Sequence, residues 1–125
     1  VKTEHNTIIL DAYNANPSSM QVAISNFAEM TADNKLPVIG EMRELGAISE
    51  EAHRKIVDLM AQNHFTQAFL VGHNFESFAN NYTFTTYFPD TEALIEYLKT
   101  NKITNAFILV KGSRGNKLER ITEYL

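Results

Sequence analysis

The sequence predicts a three-layer α/β fold on a mostly parallel sheet of five or six strands. Short apolar runs alternate with helical periods along the whole chain, about five times over. The runs are continuously apolar, the pattern of strands that helices cover on both faces. The stretches between them are long enough for the crossover helices that parallel neighbours require. Together these features describe a Rossmann-like α/β domain.

Thr7 to Leu10 reads as a buried strand ending at Asp11. Asn16-Pro17 then opens a helix, because Asn is a favoured N-cap and Pro suits the first helical position. Met20, Ala23, Ile24, Phe27 and Met30 recur at helical spacing and give it one apolar face. Leu36 to Gly40 is a second strand, with its proline near the start, where a missing N–H is tolerated. Ser49 is expected to cap a second helix whose inner face holds Ala52, Ile56, Leu59 and Met60. Ala68 to Gly72 is the third strand. Residues 74–81 read ambiguously, with a short helix that turns Phe75 and Phe78 inward as one solution. Phe84 to Phe88 is rich in strand formers. Asp90 caps a helix carrying Leu94, Tyr97 and Leu98, with Lys99 and Lys102 near its C-terminus, where positive charge suits the dipole. Ala106 to Val110 is the clearest buried strand. Gly112 to Gly115 is a turn, and Leu118, Ile121 and Leu125 share one face of a last helical segment.

Composition narrows the function. The chain has 125 residues, 44% hydrophobic and 21% charged, with a formal net charge of -4. That is one ordinary soluble domain. No apolar run approaches the ~20 residues of a membrane helix, so no membrane is expected. Lysines and arginines are scattered, so no nucleic-acid partner is expected. Cysteine is absent, which excludes disulfides and thiolate metal sites. The start without Met suggests a piece of a longer protein, although a purification fragment would look the same.

Ligands of open parallel sheets bind beyond the carboxyl ends of the strands. That rule selects Asp11, Tyr13, Asn14 and Asn16 after strand one, and Glu41 and Arg43 after strand two. It selects His73 and Asn74 after strand three, and Lys111, Ser113 and Arg114 after strand five. The opposite edge carries fewer polar residues. A carboxylate at Asp11 suits a pair of vicinal hydroxyls such as those of a ribose, yet the same segment also reads as a helix cap and tight turn, with Asn16 worth ~1 kcal/mol as a cap. Lys111 to Gly115 leads toward a helix N-terminus, where backbone N–H groups and Arg114 suit an anion or carboxylate; it reads equally as a flexible turn. Glu41, Arg43 and Glu44 present themselves either to a ligand or to one another in surface pairs of little energetic value. His5, His53, His64 and His73 lack metal-binding spacing, and His53 and His64 read as surface or helix-end residues. No GxxxxGK[ST], GxGxxG or GxSxG occurs.

Three segments carry a family resemblance. DAYNANPSSM (11–20) resembles the D-x-Y-N-A-N-P-x-S-M stretch of the Mur ligases, and more narrowly of those that add D-alanyl-D-alanine to UDP-N-acetylmuramoyl-tripeptide. VIGEMRELG (38–46) is similar to that family's L-G-D-M-x-E-L-G, and VKGSRGNKLERI (110–121) to its V-K-G-S-R-x-M-x-L-E. The resemblance implies the C-terminal domain (residues 1–125) of an ATP-dependent amide ligase of peptidoglycan precursor synthesis. The N-terminal and central ATPase domains would lie outside this chain, as would the ligands of Mg2+. The implied chemistry is phosphorylation of the tripeptide carboxylate by ATP, then attack on the acyl phosphate by the dipeptide amine. By carry-over, Asp11, Tyr13, Asn14 and Asn16 bind the nucleotide. Lys111, Ser113 and Arg114, with Glu41, Arg43, His73 and Asn74, lie near the incoming dipeptide, and no residue here is catalytic. A cytoplasmic, monomeric protein is implied. Two departures stand out: Glu41 occupies the place of an Asp, and Gly115-Asn116 replaces a small-residue-then-Met pair. The competing expectation is a stand-alone flavodoxin-like nucleotide-binding or regulatory module. A receiver lacks its phosphoacceptor here, because strand three ends in Val71-Gly72-His73. A dinucleotide oxidoreductase lacks its glycine fingerprint.

Overall fold

In a computed structural model of the chain, residues 2–11 and 15–125 are described. Among these residues the five strands are β1 (Thr7–Asp11), β2 (Lys35–Gly40), β3 (Ala68–Val71), β4 (Thr85–Phe88) and β5 (Phe107–Lys111). They form one sheet in the order β1-β5-β2-β3-β4. Every neighbouring pair is parallel, so the expected mostly parallel sheet is wholly so, with five strands. The helices are α1 (Pro17–Glu29), α2 (Ser49–Gln62) and α3 (Thr91–Thr100).

Strand alternation sorts the core into two layers, since successive side chains point to opposite faces of a sheet. Ile39, Leu70 and Leu109 join Met20, Ile24 and Phe27 of α1 and Ala52, Ile56, Val57 and Met60 of α2. Their sequence neighbours Val38, Phe69, Val71, Ile108 and Val110 join Leu94, Ile95 and Leu98 of α3. Leu118, Ile121 and Leu125 lie in that second layer too. Their segment, Leu118–Tyr124, is a 3-10 helix. No helix among the described residues is long and apolar enough to cross a membrane.

The local start signals for α1 and α3 act as expected. Asn16 Oδ1 accepts from the Ser19 N–H at 2.9 Å, and Ser19 Oγ accepts from the Asn16 N–H at 3.1 Å, closing a capping box. Asp90 Oδ1 accepts from the Ala93 N–H at 2.8 Å. The last turn of α1 has no basic residue of its own. Lys35, from β2, fills that place and donates to the carbonyls of Ala28 at 2.7 Å and Met30 at 3.1 Å.

Met30 lies past the end of α1 and is 39% exposed, so the apolar face ends at Phe27. Two further expectations fail. Ser49 does not cap α2. The 3-10 helix Gly46–Ile48 already winds the chain, so Ile48 takes the cap position without a side-chain bond and Ser49 is the first helical residue. His53 is neither at the surface nor at a helix end, because it is 0% exposed. The ambiguous segment after β3 resolves into two 3-10 turns, His73–Phe75 and Ala79–Asn81, with Phe75 and Phe78 buried as expected.

At the amino rim Asn6 ties distant segments together. Its Nδ2 donates to the carbonyls of Leu125 at 2.7 Å and Ile103 at 2.9 Å. Its Oδ1 accepts from the Ala106 N–H at 3.0 Å. Losing one buried partner costs the desolvation of the groups left behind. Asn6→Ala is therefore expected to lower unfolding free energy by about 3 kcal/mol in urea denaturation. A loss below about 1 kcal/mol would show that water replaces these bonds.

Candidate functional site

Parallel pairing brings the carboxyl ends of three strands level. Asp11 pairs in register with Lys111 across β1 and β5, and Lys111 with Ile39 across β5 and β2. Residues a hundred positions apart thus stand side by side, and the loops that follow them share one rim. Lys111 is buried, 2% exposed, while the Asp11 side chain is 41% exposed. The Lys111 ammonium lies 3.0 Å from Asp11 Oδ2. A buried ammonium needs a charged partner, so Lys111 supports the Asp11 carboxylate from the protein side while that carboxylate faces solvent.

The β2 and β5 loops are packed against each other. A Cβ on Gly40 would stand 3.0 Å from the Gly112 Cα, so both positions demand glycine for close backbone approach. Arg43 Nε donates to Ser113 Oγ at 3.1 Å. The Arg43 guanidinium lies against Gly115, where a Cβ would come within 2.6 Å of Cζ. Beyond Ser113 the chain forms a three-residue 3-10 helix, Arg114–Asn116, and no α-helix. Its end is closed internally: Asn116 Oδ1 accepts from both the backbone N–H and the hydroxyl of Ser113. Asn116 is held in turn from α3, where Thr91 Oγ1 donates to its carbonyl at 2.5 Å.

Glu41 turns the other way, toward β3. Its Oε1 accepts from the Asn74 side-chain amide. Ser49 donates to Asn74 Oδ1 at 2.9 Å. The Glu41 carboxylate covers Gly72, whose φ of +126° and whose missing Cβ leave it room. Among the described residues no ion pair joins Glu41, Arg43 and Glu44. The surface pairing that the sequence allowed is replaced, because the first two side chains point to different neighbouring strands.

His53 sits beneath this junction. Its Nε2 accepts from the Met42 N–H at 2.8 Å, and its Nδ1 lies 2.7 Å from the Ser49 carbonyl. The network therefore assigns the neutral tautomer with hydrogen on Nδ1. Phe75 meets the ring edge-on at 5.0 Å between centroids. Burial pushes the His53 pKa below 6.5, against the opposing pull of the Ser49 carbonyl and the Glu41 charge. A sequence signal for this residue existed: position 53 precedes Ile56, Val57 and Met60 at helical spacing and so shares their buried face.

The structure thus gathers Asp11, Lys111, Ser113, Arg114, Glu41, Arg43 and Asn74 on one rim. Glu41, Met42, Arg43, Glu44, Ser49 and Asn74 line a small open concavity there. Asp11, Asn16, Ser19 and Val22 line a second, shallow one. The side chain of Asn16 serves the α1 cap. Tyr13 and Asn14 lie outside the described residues. His73 is exposed, with Nδ1 3.6 Å from Glu76. The polar residues on the opposite rim close loops: Gln67 donates to Asn34 at 2.7 Å, and Asn34 to the Asn105 carbonyl at 3.2 Å. Among the described residues no group of three or more His, Asp or Glu side chains is placed to hold a metal ion.

Comparison with known proteins shows the family of the chain. The family model described as "Mur ligase, glutamate ligase domain" matches residues 1–114. A UDP-N-acetylmuramoyl-tripeptide–D-alanyl-D-alanine ligase of Rickettsia prowazekii is 34% identical over 128 residues, covering 99% of this chain and 28% of its own length. The ligase of the same name from Treponema pallidum is 34% identical over 125 residues, covering 95% of this chain and 27% of its own length. The chain therefore spans little more than a quarter of the relatives it matches. Among solved structures, a MurF from Acinetobacter baumannii superposes with a TM-score of 0.82 at 25% identity, over 98% of this chain and 28% of that one. A MurF ligase from Thermotoga maritima in complex with ADP shares the fold with a TM-score of 0.79 at 24% identity, over 99% of this chain and 29% of that one.

A histidine whose folded pKa lies below its unfolded value disfavours the native state once protons bind the unfolded chain more readily. Its contribution is complete above pH 6.5 and is lost as pH falls toward the lowered folded value. His53→Gln keeps an acceptor near the Met42 N–H and does not titrate. Between about pH 7.5 and about pH 5 the native protein should lose more thermal stability than His53→Gln. Parallel Tm-against-pH curves for the two proteins would show that His53 takes up protons alike in the folded and unfolded states.

Proposed function

This chain belongs to the Mur ligase family, and on that premise we propose that it is the C-terminal domain of an ATP-dependent ligase joining D-alanyl-D-alanine to UDP-N-acetylmuramoyl-tripeptide. The observation that carries the proposal is the in-register pairing of Asp11 with Lys111, which sets the nucleotide loop beside the loops assigned to the amino substrate. The relatives matched across nearly the full chain are ligases, which favours this reading over the stand-alone regulatory alternative.

In this proposal residues 1–125 form one domain of a longer protein, and the phosphate loop and the ligands of Mg2+ belong to other domains. The Asp11 carboxylate, half-exposed and steadied by Lys111, suits the vicinal hydroxyls of the ATP ribose. Tyr13 and Asn14 are assigned to the same nucleotide through the family motif. Asn16 contributes by fixing the start of α1 behind that loop. Arg114 and Ser113 from the β5 loop, with Arg43, Glu41 and Asn74 around the concavity, form the dipeptide side. An arginine suits its carboxylate and Glu41 its ammonium. His73, exposed at the β3 end, is the outermost member. The domain supplies no nucleophile or general base. It brings the amine to an acyl phosphate formed elsewhere and keeps water from that intermediate, which is catalysis by proximity and desolvation. A soluble, monomeric, cytoplasmic enzyme follows from the same proposal.

The test is phosphate release by the full-length protein with ATP and both acceptor substrates. Turnover should require D-alanyl-D-alanine and the UDP-linked tripeptide together, and the 125-residue chain alone should give none. Asp11→Ala should raise the KM for ATP by about tenfold with little change in the dipeptide KM. Turnover by the isolated chain, or an ATP KM insensitive to Asp11, would contradict the assignment.

A further inference from the structure

Resting on the ligase proposal, we infer that His53 is the positioning residue for the amino-substrate half of the rim, acting through the Met42 N–H. Met42 lies between two residues that reach in opposite directions. Glu41 reaches Asn74 above Gly72 on the β3 side. Arg43 reaches Ser113 and Gly115 on the β5 side. One backbone N–H thus sits at the fork, and its partner is a fully buried ring nitrogen 2.8 Å away.

The ring has little freedom to follow if the loop shifts. The Ser49 carbonyl holds Nδ1 at 2.7 Å from the first turn of α2, and Phe75 closes its edge. Ser49 also donates to Asn74, so α2 grips the concavity from two sides. Buried bonds of this kind fix rim side chains to within the fraction of an ångström that a near-attack geometry needs. The Met42 side chain is itself buried, so the loop is anchored through both its backbone and its side chain. The nucleotide side rests on other bonds. Asp11 is held by Lys111 of β5, and Asn16 by Ser19, and among the described residues neither bonds to His53. Removing the tether therefore shifts the residues assigned to the dipeptide and spares those assigned to ATP.

Two variants separate positioning from bulk stability. His53→Gln places a carbonyl oxygen near the Nε2 position and keeps an acceptor for the Met42 N–H. His53→Asn places an amide near Nδ1, keeps the Ser49 contact and leaves the Met42 N–H without its partner. Steady-state kinetics use the full-length ligase, with ATP, D-alanyl-D-alanine and UDP-N-acetylmuramoyl-tripeptide, and thermal unfolding is recorded for each protein. His53→Asn should raise the dipeptide KM by about tenfold and leave the ATP KM within about twofold, while His53→Gln restores the dipeptide KM to near the native value. A merely structural role predicts a smaller active fraction, hence a lower kcat with both KM values unchanged in both variants, and that result overturns the inference. Equal increases in both KM values overturn it as well. Should His53→Asn not fold, a dipeptide KM raised about tenfold in His53→Gln is enough to reject it. A native enzyme without dipeptide-dependent turnover removes the ligase proposal itself, and this role with it.

Discussion

The site depends on strand β5 entering the sheet between β1 and β2. At the far edge of the sheet, beside β4, it would leave the loop after Lys111 the width of the sheet away from Asp11. With β5 in its place, Asp11 and Lys111 become cross-strand neighbours and Gly112 meets Gly40. Parallel pairing then sends all three chain exits to the same rim, where ligands of such sheets bind. The ion pair between Lys111 and Asp11 follows from this register. It also explains why a lysine at a strand end is buried: its charge is matched across the strand pair.

From that junction the rim divides into two halves that share β5. One is Asp11 with the cap of α1. The other is a polar lattice that spans β2, β3 and β5, in which Glu41 and Arg43 lean apart and His53 holds the backbone between them. Four of the rim bonds join side chains on different elements (Arg43 with Ser113, Glu41 and Ser49 with Asn74, Lys111 with Asp11), which suits a surface that must keep its shape while facing solvent.

Much of this was legible in the sequence where the signals are local. Asn16-Pro17 and Asp90 start helices through bonds three residues away, and both act as their spacing predicts. The apolar runs gave all five strands to within a residue or two. The failures arose where position depends on neighbouring elements. Ser49 lost its capping role because the preceding residues coil first, and its hydroxyl turned to Asn74 on another loop. His53 looked polar and therefore external. Its helical phase placed it inward, and only tertiary structure supplied the Met42 N–H that makes burial acceptable. The pairing of Asp11 with Lys111 was legible only through the fold class, since no local pattern links residues a hundred positions apart.

The place of β5 has a kinetic side as well. The strand that completes the centre of the sheet is the fifth of five in chain order. On a ribosome, β1 and β2 emerge long before the segment that joins them, and each waits with an unpaired apolar edge. Closure of the sheet must await residues 107–111, so assembly is dominated by long-range pairing and should be slow for a chain of this length. Until Lys111 docks beside Asp11 those edges stay open, and unpaired strand edges are where a chain of this kind is most exposed to aggregation.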